Sequence, residues 1–280
     1  MDAPQPADFD PKLIQVEDAK RLIALATADP NGLRWLINLA IGLRQGERLA
    51  LGWEDVNLET GEYQINHSLY RMSWQHGCTE DQKNPLCGRT PYRCPSRHSG
   101  GLFLKKPKSK AGKRSSVLPE PILEPFRQHR IRQLKARELA GNEWKPFVSA
   151  NGIRKDLVFC SGKGAAIDAR LDWADWKSFL EGAGLTPNRV HDGRHTAATI
   201  LLLLGVPERI VMEMMGWSST TMLKRYQHVL DEMKKAAAEK IGAKLWEEPS
   251  LPPPPPLDPN VAPGVADLSS YRERRQRKIG

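Results

Sequence analysis

With 280 residues the chain is long enough for one large or two small domains with a proper core. Its 40% hydrophobic and 27% charged content suits a soluble globular protein, and 42 basic against 33 acidic residues leave a formal charge of +9, which favours a polyanionic partner where cations cluster beside phosphate-binding chemistry. The acidic start MDAPQPADFD lacks the apolar core of a secretory signal, the apolar run 197–206 is far too short for a bilayer, and four cysteines do not make a disulfide scaffold, so a cytoplasmic chain with no membrane contact is expected.

Residues 1–14 are rich in Pro and Asp and read as a flexible lead-in. Helical periodicity begins at Val16, with Glu17 and Asp18 in the first turn where the helix dipole favours acids, and stops before Asp29-Pro30-Asn31-Gly32. A second helix over 33–42 carries Leu33, Trp35, Leu36, Leu39 and Ala40 on its apolar side, and a third runs from Gly46 to about Leu51. Alternation over 62–66 predicts a strand, and 101–104 with 115–118 predict a hairpin around a Lys/Gly-rich turn, ended by Pro119. A basic helix over 120–140, a short strand over 156–160 and a helix over 172–183 follow. The stretch 190–226 reads as helical, and so does 231–246. From 248 onward PSLPPPPPLDPNVAPG cannot build a core, so 248–280 reads as a Pro-rich, basic, disordered tail. The fold class is α+β, mainly α-helical, with a small antiparallel sheet.

The segment VHDGRHTAATILLLLGVPERIVMEMMGWSSTTMLKRYQHV carries the chemistry. His191 and Arg194 are three apart and share a helix face if the helix starts near Asp192, a fair N-cap. An Arg fork suits two phosphate oxygens, and a nearby His moves a proton near neutral pH. Tyr226, amphipathically spaced with Met222, Leu223, Val229 and Leu230, reads alone as a packed aromatic. It becomes a covalent nucleophile where a neighbour takes its proton and a phosphate is held in line. Arg44 alone reads as a cation at a helix C-terminus, but Gly46-Glu47 and a Leu49-x-Leu51-x-Trp53-x-Asp55 run follow it.

Together these segments resemble the catalytic domain of the tyrosine recombinases, the phage-integrase family. The family's G-L-R-x-G-E and L-x-L-x-W-x-D segments match 42–55, its lysine-bearing K-T-K-T-G-K turn matches 108–113, H-D-x-R-H-T matches 191–196, and G-H/W-S-S matches 216–219. Its nucleophile stands nine residues after the His/Trp position, as Tyr226 stands after Trp217. The resemblance covers residues 15–240 and implies metal-independent cleavage and rejoining of DNA, with no cofactor for catalysis. Arg44 and Arg194 are then expected to clamp the scissile phosphate, His191 to accept the tyrosine proton, and Lys110, favoured over Lys108, to protonate the leaving 5′ hydroxyl. Tyr226 is expected to form a 3′-phosphotyrosine bond. Trp217 replaces the commoner His and donates a hydrogen bond but shuttles no proton. Glu47 and, on a par with simple packing, His195 are expected to hold the active-site backbone. Lys108, Lys113 and Arg114 are candidate DNA contacts. Gly193 stands where the family usually has Leu, which loosens the first helical turn by about 1 kcal/mol.

Residues 73–101 form a long insertion with His76, Cys78, Cys87, Cys94 and His98. Cys78, Cys87, Cys94 and His98 suit a structural zinc ion, with spacings unlike a standard finger; a reduced loop and a disulfide remain alternatives. Residues 15–247 are thus expected to form the catalytic domain. The core-binding domain that usually precedes it is missing, so a catalytic fragment is expected, assembling on double-stranded DNA as a tetramer that integrates or excises a phage or mobile element. The alternative is a non-catalytic DNA-binding remnant that regulates recombination.

Overall fold

A computed structural model of the chain describes residues 14–107, 110–226, 231, 234–235 and 238–241. Three helices come first, α1 (Val16–Ala28), α2 (Leu33–Ala40) and α3 (Gln45–Leu49). Four strands follow, β1 (Glu62–Ile65), β2 (Ser68–Met72), β3 (Gly101–Lys105) and β4 (Arg114–Val117). Helix α4 (Glu120–Ala140), strands β5 (Phe147–Val148) and β6 (Arg154–Lys155), and helices α5 (Ala169–Gly182), α6 (Val190–Leu203) and α7 (Glu208–Met215) complete the regular elements, and a 3-10 segment, Thr220–Tyr226, closes the unit that ends at residue 233. The described residues from 234 onward are helical. The α+β class expected from sequence holds. The lead-in 1–13, most of the 231–246 helix and the tail 248–280 lie outside the described residues.

Helix α2 is the centre of the core. Leu33, Trp35, Leu36, Ile37, Asn38 and Leu39 are all buried, because the helix is covered by α1, α4 and α6. Trp35 meets Trp176 and Phe179 of α5 at ring-centroid distances of 5.1 and 5.9 Å, so a large aromatic cluster joins the second and fifth helices. Beneath it Arg48 is fully buried. It donates to Asp172 Oδ2 at 2.6 Å and to Arg34 O at 3.0 Å, and its guanidinium lies 5.1 Å from the Trp35 ring. This pair pins α3, which follows Arg44, to α5.

The sheet differs from the expected hairpin. β3 and β4 do not pair with each other across the lysine turn. β4 pairs antiparallel with β1, Glu62 opposite Val117, and β3 pairs antiparallel with β2, Ser68 opposite Lys105. The physical reason is the length of the two arms: 62–72 runs up, 101–117 runs back, and the insertion 73–100 is the loop that joins them. Between β3 and β4 the described residues include one 3-10 turn, Lys110–Gly112. The expected strand at 156–160 is reduced to bridges of Leu157 to Gly52 and Cys160 to Ala166, and the pairing strand lies earlier, at β6. Among the described residues no helix is long and apolar enough to cross a membrane.

Removing Asp172 leaves the Arg48 charge buried without its counter-ion. Asp172→Ala is therefore expected to cost about 3–5 kcal/mol in denaturant unfolding, and the paired change Arg48→Met with Asp172→Leu to recover most of it.

Candidate active site

Glu47 sits on the first turn of α3, where its carboxylate accepts the Arg44 backbone N–H at 3.0 Å and the Arg44 guanidinium at 2.8 Å. The same carboxylate takes both ends of the Arg114 guanidinium, at 3.1 and 2.8 Å. Burial alone raises a carboxyl pKa, but here the two arginines outweigh it and hold Glu47 down to about 2. Arg114 is only 7% exposed and also donates to Met214 O. It therefore faces inward, which corrects its expected place among the DNA contacts: it braces the site from below.

Two further guanidinium groups converge on the C-terminus of α7. Arg44 donates to Gly216 O at 3.1 Å, and buried Arg194 donates to the preceding carbonyl, Met215 O, and to Gly42 O at 2.5 Å. The negative end of a helix suits cations, and consecutive carbonyls set the two forks side by side. Gly216 makes the junction. It caps α7 in the left-handed conformation, and a Cβ there would lie 2.9 Å from both Ala111 O and Arg114 Nη1. The lysine turn thus approaches as closely as backbone allows. Burial first, then Arg44, lowers the Arg194 pKa to about 9, which still leaves it cationic at neutral pH.

Helix α6 begins at Val190, ahead of the cap expected at Asp192. Its N-cap is Arg189, and Asp192, expected at the cap, instead occupies the third helical position and accepts the Arg189 backbone N–H at 2.9 Å. His191 lies in that first turn, with an outer edge open to solvent. Loss of solvent on its inner side and then the charge of Arg194 push it down to about 4, so it is neutral at pH 7 and able to accept a proton. Gly193 has a physical reason that sequence did not reveal. A Cβ there would fall 2.2 Å from Nδ2 of fully buried Asn38, which donates to Val190 O at 3.1 Å. The space of the family's usual Leu is filled from α2.

Tyr226 is 1% exposed and stacks on Trp217, ring centroids 5.6 Å apart. Its hydroxyl lies 2.5 Å from Nδ1 of His195, not of His191, whose ring meets His195 edge-on at 4.8 Å. The residue given only a supporting part in the sequence is thus the one that touches the Tyr226 hydroxyl. Its signal was present, a second His directly after Arg194. Trp217 sits under the Arg194 guanidinium at 5.9 Å. Lys110 starts the 3-10 turn beside Gly216, and its side chain, like all of Lys108, lies outside the described residues. Exposed Lys113 lines a cleft of about 830 Å³ with Arg209, Glu208, Glu213, Trp217 and Thr220.

The arrangement is a cationic cradle with a tyrosine and a neutral imidazole beside it. Residues 127–233 match the model of the phage integrase family. An integrase of Saccharopolyspora erythraea is 36% identical over 270 residues, covering 87% of this chain and 60% of that protein. The chain is similar to the phage integrase family. A XerC-like tyrosine recombinase of Caldanaerobacter subterraneus is 29% identical over 74% of this chain and 48% of its own length. The chain spans about half to three-fifths of the length of these curated relatives. In fold it is similar to the Tn1549 transposon integrase solved with transposon right end DNA, at a TM-score of 0.61 and 19% identity, over 84% of this chain and 68% of that one.

The insertion departs from its expected ligand set. His76, Cys78, Cys87 and Cys94 bring their ligand atoms within 4.8 Å of one another. His98, expected in that set, turns away: its Nδ1 meets Ser99 Oγ at 2.7 Å and its Nε2 meets His76 O at 3.2 Å.

Three outcomes follow from this geometry. Glu47→Gln is expected to cost about 3–5 kcal/mol by denaturant unfolding, because it strips Arg114 of its buried partner. A Glu pKa held below its unfolded value adds stability above about pH 4.5, lost as pH falls toward 2, so the variant's stability should vary less with pH in that window than the parent's. Gly193→Ala should cost about 1–3 kcal/mol by overpacking against Asn38, and much less in an Asn38→Ala background, as a double-mutant cycle would read.

Proposed function

We propose that this chain is the catalytic part of a site-specific recombinase. It cleaves and rejoins double-stranded DNA through a 3′-phosphotyrosine intermediate, to integrate or excise a phage or mobile element. The observation that carries the reading is the convergence of Arg44 and Arg194 on the consecutive carbonyls of Gly216 and Met215, with the Trp217–Tyr226 stack at the same turn. Two guanidinium forks at one place match the non-bridging oxygens of a phosphodiester and offset the charge that grows at a pentavalent phosphorus.

In this reading Tyr226 attacks phosphorus, and the P–O bond to the 5′ oxygen breaks. His191, neutral at pH 7, takes the tyrosine proton, and Lys110 gives one to the departing 5′ hydroxyl. The phosphotyrosine keeps the bond energy for the reverse attack by a 5′ hydroxyl. His195 holds the hydroxyl of Tyr226 in its buried resting place, so the 220–226 segment swings outward when DNA docks. Lys113, exposed at the cleft, contacts backbone phosphate, as do the lysines of the adjacent turn. Residues 15–247 form the catalytic domain, and four copies assemble on paired sites in the cytoplasm. Phosphoryl transfer in this scheme is metal-independent. We infer that any metal belongs to the Cys/His insertion, where β3 separates it from the lysine turn, and serves structure alone.

A duplex nicked close to the cleavage site traps the covalent step, since the short 5′ product diffuses away. The wild-type chain should give a protein–DNA adduct in the presence of chelator, Tyr226→Phe none, and Arg44→Ala or Arg194→Ala a rate about 10²–10³-fold lower. A duplex that the chain binds at its own site but never links covalently would sink the enzymatic reading and leave a DNA-binding remnant.

A further inference from the structure

Residues 73–100 have almost no core of their own. Only His76, Cys94 and Gly100 are buried in this stretch, while Leu86 and Tyr92 stand 82% and 64% exposed. Regular structure is confined to a single 3-10 turn, Pro91–Arg93. Ordering a segment of this length costs roughly 1–2 kcal/mol per residue in backbone entropy alone, and here little apolar burial opposes it, with Trp74 only half-buried. What the segment does bring together is a cluster of ligand atoms, with His76 and Cys94 buried and Cys78 and Cys87 half-buried. Cys87 Sγ lies 3.6 Å and Cys78 Sγ 3.9 Å from His76 Nδ1, and the Cys94 sulfur completes the set within 4.8 Å. Tetrahedral zinc with bonds of about 2.3 Å to sulfur and about 2.0–2.1 Å to nitrogen separates its ligand atoms by roughly 3.5–3.8 Å, so the cluster needs little contraction to close on an ion.

The surroundings aim His76 at the sulfurs. Gln82 accepts the His76 backbone N–H at 2.7 Å and donates to its carbonyl at 3.1 Å, while His98 Nε2 lies 3.2 Å from the same carbonyl. Gln75 and His98 exchange backbone hydrogen bonds of 3.0 and 3.1 Å, so His98 closes the neck of the insertion and braces the ligand from behind. Gly77 lets the chain fold back at this point, since a Cβ there would lie 2.1 Å from Ser96 O.

We infer that His76, Cys78, Cys87 and Cys94 bind one zinc ion in a closed site of four protein ligands, and that this ion takes the place of a hydrophobic core in holding residues 73–100 together. The inference rests on the structural-metal reading above and assigns its ligands. Three thiolates and an imidazole are the donors zinc takes in closed sites, with no position left for substrate. His98 supports the site without touching the ion, as an outer neighbour does.

The test uses the untagged 280-residue chain, purified under reducing conditions, with zinc measured by elemental analysis and tetrahedral cobalt followed by its visible bands. Wild type and His98→Ala should each hold one equivalent of zinc, while His76→Ala should lose affinity by more than about 100-fold, beyond the effect of removing an outer neighbour. His76→Cys guards against misfolding: it should keep one cobalt ion and shift the spectrum from the three-thiolate to the four-thiolate pattern. An unchanged cobalt spectrum in His76→Cys, or metal lost from His98→Ala and kept by His76→Ala, would overturn the ligand assignment while sparing the structural-metal reading. A wild-type chain that binds neither zinc nor cobalt, or whose cysteines pair as disulfides, would overturn both.

Discussion

The site depends on one buried acid. Glu47 is a single negative charge placed between Arg44 and Arg114, with Arg194 held close by the next carbonyls along. Three guanidinium groups brought together in a partly desolvated place repel one another by several kcal/mol at an effective dielectric near that of a protein surface. Glu47 offsets part of that repulsion and fixes direction as well as charge. It binds the backbone N–H of Arg44, so the same carboxylate that steadies the guanidinium also sets the turn from which Arg44 projects. Its pKa of about 2 expresses how strongly the surrounding cations outweigh the cost of burying it.

The balance is deliberately incomplete. Three cations face one carboxylate, and the adjacent His191 is held neutral, so the cradle keeps a surplus of positive charge. A phosphodiester is the kind of ligand that removes it. Arg44 points that surplus outward, with two-fifths of its side chain exposed, whereas Arg194 and Arg114 are tied down among carbonyls. The helix end at Gly216 links these roles, since one left-handed glycine positions the carbonyl for Arg44, admits the lysine turn and starts the Trp217 to Tyr226 segment.

Much of this was legible in the sequence because the spacings of the candidate site are local: 44 to 47, 191 to 195 and 217 to 226 each span ten residues or fewer. Helices with strong apolar periodicity, α1 and α2, were legible for the same reason. The errors lie where pairing is non-local. The two strands beside the lysine turn looked like one hairpin, because sequence shows alternation and turns but not which edge a strand meets. Arg114 looked like a surface cation because nothing in the neighbouring residues announces Glu47, far earlier in the chain. Gly193 looked like a weakness of α6, although Asn38 of α2 supplies its complement. His76 was passed over for His98, since the choice between two histidines rests on which ring the loop turns inward.

The central claim is that the cradle formed by Arg44, Arg194 and the Gly216 turn delivers a phosphate to Tyr226. It is tested most directly by locating the covalent link. The protein should be trapped on nicked duplex, digested with protease and nuclease, and the nucleotide-bearing peptide sequenced by mass spectrometry. The account predicts a 3′-nucleotide phosphodiester on Tyr226 and on no other residue. A link to another side chain, or to the 5′ end of the broken strand, would contradict it.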